Sequence, residues 1–128
     1  MENRGLILCD TNIIIEFYKG NIQVVEYLRV IGQEKIAISS ITAAELLYGA
    51  LNKVELRQIS KDLQLLAVIH VDKEISKKSL ELMEKYVLSH KLKLPDALIA
   101  ASALVYDMTL YTLNLKDFRF IKEVKLVQ

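Results

Sequence analysis

Short apolar runs separated by longer amphipathic stretches are what most restricts this chain. Leu6–Cys9, Ile36–Ile38, Ala67–Val71, Met108–Thr112 and Val124–Val127 are each three to five residues long and mainly apolar. Runs of that length without polar relief suit strands covered on both faces. The stretches between them carry helical spacing. Ile22, Val25, Leu28 and Ile31 fall three apart behind Asn21, a capping residue, and Gly32 ends the segment. Strands alternating with helices give a parallel sheet with helices on both sides. The expected fold is α/β: three layers, with a central parallel sheet of four or five short strands.

The remaining helices follow from the same signals. Asp10-Thr11-Asn12 stops the first strand and leads into an apolar helix over Ile13–Tyr18. Ser40 or Thr42 caps a helix through Tyr48, residues 52–66 form a charge-laced helix, and Lys73 to Lys91 form a long amphipathic one. Pro95, the only proline, opens a helix to Val105 that is apolar on nearly every face and belongs at the centre of the fold. Asn114–Phe118 reads as a loop, and Val124–Val127 as an edge strand. No linker, repeat or composition shift divides the 128 residues, so one domain is expected over 1–128.

Composition narrows the function. With 52% hydrophobic residues and one proline, the chain has the makings of a packed core. Lys plus Arg number 17 against 16 Asp plus Glu, so any nucleic-acid site must be a local patch. One cysteine and two histidines cannot build a Cys/His zinc site, and a lone cysteine suits a reducing cytoplasm. No window approaches the roughly 18 apolar residues of a membrane span.

Most carboxylates lie among lysines on helix faces, but four stand apart. Asp10 ends the first strand, Glu45 lies early in the helix after the second, Asp96 starts the apolar helix, and Asp117 follows the fourth strand. Parallel sheets bring strand ends and helix starts to one edge, so all four acids are expected around one pocket. Each also has a plainer use: Asp10 and Asp96 suit helix starts, Asp117 suits a turn, and Glu45 an exposed helix face. Together they pose a problem that these uses do not. Two carboxylates 4 Å apart repel by about 4 kcal/mol at an effective dielectric near 20, so crowded acids take up protons or bind a cation. Mg²⁺ or Mn²⁺, one or two ions, suits oxygen ligands, and such ions activate water against phosphodiesters.

Other chemistries lack their residues. Gly5, Gly20, Gly32 and Gly49 form no phosphate cradle, and no G-x-S-x-G elbow is present. His70 reads as a strand histidine packed in the core or at an edge, and His90 as a helix C-terminal residue. Cys9, beside Asp10, reads as an inert core residue.

Asp10-Thr11-Asn12, Ile41 to Gly49 around Glu45, Pro95 to Ala101 around Asp96, and Leu110 to Phe118 around Asp117 resemble, in order, the four signatures of PIN domains. Within that family they resemble specifically the VapC-type ribonuclease toxins of toxin–antitoxin modules. The resemblance implies a Mg²⁺- or Mn²⁺-dependent endoribonuclease cutting single-stranded RNA, a homodimer, and a small antitoxin partner. By position, Asp10, Glu45 and Asp96 match the family's three central acids and Asp117 its fourth. Thr11, Asn12, Thr42, Thr112 and Asn114 match polar neighbours that orient carboxylates or touch phosphate. Leu113 departs from the pattern, since the family often carries Arg there; Lys116, Arg119 and Lys122 are nearby alternatives for positive charge. The alternative to an enzyme is a catalytically silent PIN-like scaffold binding RNA or a partner. The helix over 12–18, with Ile13, Ile14, Ile15, Phe17 and Tyr18, is apolar on too many faces to bury alone, which suggests a dimer or antitoxin interface.

Overall fold

A computed structural model describes residues 5–127. Strands β1 (Ile7–Cys9), β2 (Ile36–Ser39), β3 (Ala67–Ile69) and β4 (Thr109–Tyr111) form one sheet in the order β3-β2-β1-β4, with every neighbouring pair parallel. Helices α1 (Thr11–Tyr18), α2 (Ile22–Ile31), α3 (Ser40–Tyr48), α4 (Lys53–Leu63), α5 (Lys73–His90) and α6 (Leu94–Val105) provide the crossovers. The α/β three-layer fold is as the sequence predicts.

Alternation along each strand splits the core in two. Leu8 and Ala37 point into a cluster with Ile75, Leu82, Ile99 and Ala100, on the side of α5 and α6. Cys9, Ile36 and Ile38 point the other way, against Ile13, Val24, Leu28 and Leu46 of α1, α2 and α3. Six residues of α6 are buried, which makes it the central helix its composition calls for. Asn21, Asn52 and Asp72 cap α2, α4 and α5 by accepting hydrogen bonds from backbone N–H groups in the first turn. Gly32 ends α2 at φ 89°, a backbone region that side chains avoid.

Four local expectations need correction. The cap of α3 is Ser39, whose hydroxyl accepts from the Ile41 N–H; the helix starts a residue earlier than Ser40 or Thr42 as caps would allow. His70 lies beyond β3 and is exposed, because the chain leaves the sheet there to reach the Asp72 cap of α5. The fifth strand reduces to one bridge, Leu110 with Leu126, since turns over 118–123 bury Phe118 and Ile121 before the chain reaches the edge. The 114–118 loop contains a short 3₁₀ turn, Leu115–Asp117.

The sheet order also fixes where a site can form. From β1 the chain moves outward to β2 and β3, then crosses back over α5 and α6 to place β4 on the other side of β1. The carboxyl ends of β1 and β4 therefore open a crevice at the switch point, the usual ligand position in such sheets.

Candidate metal and nuclease site

Asp10 stands at that switch point. Its N–H donates to the Tyr111 carbonyl at 2.9 Å, extending the seam between β1 and β4, and it is buried at 6% exposure. Three donors hold its carboxylate: the Thr11 N–H at 2.8 Å on Oδ1, the Thr112 hydroxyl at 2.8 Å on Oδ2, and more loosely the Asn12 amide at 3.4 Å on Oδ2. Capping α1 and facing the crevice are thus one geometry. Asn12 Oδ1 in turn accepts from the Leu113 N–H, and Thr112 Oγ1 from the Asn114 N–H, which ties the first turn of α1 to the chain leaving β4.

Thr42 and Glu45, three apart on α3, face the same turn of α1. The Thr11 hydroxyl lies 2.5 Å from Glu45 Oε1 and 3.0 Å from Thr42 Oγ1. A hydroxyl has one hydrogen, and the carboxylate is the stronger acceptor. Thr11 therefore donates to Glu45 and accepts from Thr42, whose fully buried hydroxyl anchors the chain of bonds. Asp96 enters from the first turn of α6.

Asp10, Glu45 and Asp96 line one cleft of about 720 Å³, together with Thr11, Asn12 and Asn114; the side wall includes Tyr48, a residue the motifs do not single out. Among the described residues, no lysine, arginine or histidine lines it. Asp117 lies apart, in a smaller adjoining cleft that shares Asp96. Its charge still reaches the others. Burial pushes the Asp10 carboxyl above its ordinary value, the Thr112 and Thr11 hydrogen bonds pull it back, and the charges of Glu45 and Asp117 push it up again. Asp96 is pushed up to about 6, by burial first and then by Asp10 and Asp117; Lys93 opposes and Glu45 adds to the shift. Cys9 is pushed up to about 12 by burial and by Asp10, in keeping with an inert core thiol.

Among the described residues, no three carboxylate, imidazole or thiol groups are gathered closely enough to ligate one ion by themselves. That arrangement fits a hard ion that keeps much of its water and takes one or two carboxylates directly, as Mg²⁺ does, rather than an ion caged by protein. The all-oxygen donor set and the crowding of negative charge fit such an ion as well.

The PIN domain profile matches residues 7–123. Ribonuclease VapC10 of Mycobacterium tuberculosis is 30% identical over 122 residues, covering 94% of this chain and 91% of that protein. A toxin–antitoxin complex from Klebsiella pneumoniae contains a chain 33% identical with a TM-score of 0.80, covering 95% of this chain and 96% of that one. A chain of VapBC2 from Rickettsia felis, in a crystal structure bound to a DNA fragment from its promoter, is 27% identical with a TM-score of 0.81, over 95% and 97% of the two chains. In sequence and in architecture alike, this chain belongs to the PIN domain family, among its VapC-type members.

Proposed function

We propose that this protein is a Mg²⁺- or Mn²⁺-dependent endoribonuclease that cuts single-stranded RNA and acts as the toxin of a toxin–antitoxin pair. The observation that carries the reading is the cleft holding Asp10, Glu45 and Asp96 without a cationic side chain among its described lining residues. A silent scaffold has no physical need for that crowding. The relatives support it too, one being named a ribonuclease and others forming toxin–antitoxin complexes.

Asp10, Glu45 and Asp96 would hold the ion, one or two of them directly and the rest through its bound water, with Asp117 assisting from the adjoining cleft. The ion would supply the positive charge that lowers the pKa of water and offsets charge building on the phosphodiester. The protein's own task is preorganisation. Thr112 and the Thr11 N–H fix the Asp10 carboxylate, Thr42 and the Thr11 hydroxyl fix Glu45, and Asn12 and Asn114 hold the loop after β4 against α1. The buried hydroxyls of Thr42 and Thr112 keep that geometry independent of substrate.

Two protein partners belong to the same reading. An apolar groove of about 460 Å³ between α1, α2 and the segment before β3, lined by Phe17, Tyr18, Leu28, Leu65 and Leu66, would take the antitoxin. A second copy of this chain would use other exposed apolar side chains, such as Tyr48, Leu51 and Leu88. No helix among the described residues is long and apolar enough to cross a membrane.

The chemistry of the cut ends tests the proposal. Hydrolysis by water leaves a 5′-phosphate and a 3′-hydroxyl, whereas 2′,3′-cyclic phosphate ends would mean that the ribose 2′-hydroxyl had attacked and would contradict it.

A further inference from the structure

Among the described residues, lysine side chains line not the acid cleft but the smaller cleft next to it. The adjoining cleft of about 90 Å³ shares Asp96 with the first and brings in Asp117, and its other walls carry Lys91, Lys93 and Lys116. None of the three lysines makes an ion pair with another described residue. Arg119 and Lys122, close in sequence to Lys116, do not line this cleft.

Two of these lysines occupy backbone positions that favour other residues. Lys93 is the N-cap of α6, where Ser, Thr, Asp or Asn would bond the first turn; its side chain makes no capping bond, and a cation at that position is disfavoured by the helix dipole. Lys91 closes α5 at φ 56° and ψ 40°, the left-handed conformation that suits Gly or Asn. Local rules broken side by side, next to a site, mark residues kept for something other than folding. The wall beside them is aromatic: the His90 ring lies stacked on Phe120 with centroids 4.2 Å apart and planes 7° from parallel, and Tyr86 packs edge-on against Phe120 at 5.2 Å.

We propose that Lys91, Lys93 and Lys116 form a phosphate-binding subsite for the RNA strand, holding the backbone on the Asp96 side of the acid cleft. The inference rests on the ribonuclease reading above and adds where the strand runs. A strand whose reacting phosphate enters the acidic cleft meets repulsion there, and cations around the next phosphates hold it in place. The subsite is blind to base identity, so it serves affinity and direction rather than sequence choice.

The test compares two triple variants of equal charge change: Lys91→Asn/Lys93→Gln/Lys116→Gln, in which Asn keeps the left-handed cap, and a control, Lys53→Gln/Lys73→Gln/Lys77→Gln, whose residues line neither cleft. Binding of a fluorescein-labelled single-stranded RNA is followed by anisotropy in EDTA across a salt series, and cleavage is followed with Mg²⁺. The subsite variant is expected to lose tenfold or more in affinity, with a log–log salt slope shallower by about 2, while the control follows wild type; a single-strand contact contributes about 0.7 to that slope. In cleavage, KM rises while kcat stays within about threefold. Equal slopes for the subsite variant and wild type overturn the proposal, as does an equal loss in the control triple. Because binding is read without metal and cleavage by wild type separately, failure of the subsite is distinct from failure of the nuclease reading. Circular dichroism melts of both triples, with matching transitions, confirm that folding does not account for the difference.

Discussion

Asp96→Asn should stabilise the metal-free protein at neutral pH, although it removes a residue placed at the centre of the site. The Asp96 carboxyl is raised from 3.8 to about 6. A shift of that size corresponds to about 3 kcal/mol at 1.36 kcal/mol per unit. The side chain is partly exposed, and solvent screening reduces this to about 1.5 kcal/mol. Asn also forfeits the favourable placement of a negative charge in the first turn of α6, worth about 0.5 kcal/mol, which leaves a net gain of about 1 kcal/mol. In melting temperature that is about 3–5 °C for a chain of this size. The sign follows from proton binding. An acid whose folded pKa exceeds its unfolded one holds more protons when folded, so stability falls as pH rises between about 4 and 6 and the full penalty is present above that window. Urea and thermal unfolding in EDTA at pH 4.5 and 7.5 should therefore show wild type and Asp96→Asn alike at the lower pH and the variant ahead at the higher. A variant equally or less stable than wild type at pH 7.5 would refute the claim that burial and the neighbouring carboxylates together penalise the Asp96 charge.

Other consequences follow from the same geometry. Mg²⁺ at ten times its Kd should add about 1.4 kcal/mol to stability at pH 7.5, seen as a thermal shift, and clearly less at pH 5, where protons compete for Asp96 and Asp10. Thr112→Val keeps shape but removes the buried donor to Asp10 Oδ2; it should cost about 1–3 kcal/mol in unfolding experiments and lower kcat at least tenfold, and a variant with unchanged kcat would show that Asp10 needs no such anchor. Cys9, fully buried with its thiol pushed up to about 12, should resist a thiol reagent at pH 8 in the folded protein and react fully in urea; rapid labelling without denaturant would contradict the packing.

Much of this structure was legible in the sequence because its signals are local. Apolar runs bounded by caps mark β1, β2 and β4, Pro95 marks the start of α6, and the even apolarity of Asp96–Val105 marks a helix buried all round. The convergence of Asp10, Glu45 and Asp96 on one cleft follows from parallel topology, which carries strand ends and helix starts to one edge. What the sequence hid depends on tertiary placement. His70 is flanked by apolar residues, yet the chain must leave the sheet there to reach Asp72, and Val124–Leu126 has strand character but meets the edge at one bridge. Asp117 follows β4 by a short stretch, yet the 3₁₀ turn over Leu115–Asp117 carries it into the neighbouring cleft. Lys91 and Lys93 had a faint local signal, a lysine where a cap residue belongs, which acquires meaning only once Lys116 is brought beside them.

The central claim is that the acid cluster is a metal-dependent ribonuclease site. Its most direct test is cleavage of a labelled single-stranded RNA pool by protein freed of antitoxin, with Mg²⁺ or Mn²⁺ against EDTA, for wild type, Asp10→Asn and Asp96→Asn. The account predicts cutting by wild type only with metal and a loss of at least a hundredfold in each folded variant. Wild type that is folded and binds RNA but cuts nothing with either metal would contradict it, as would cutting by both variants at the wild-type rate.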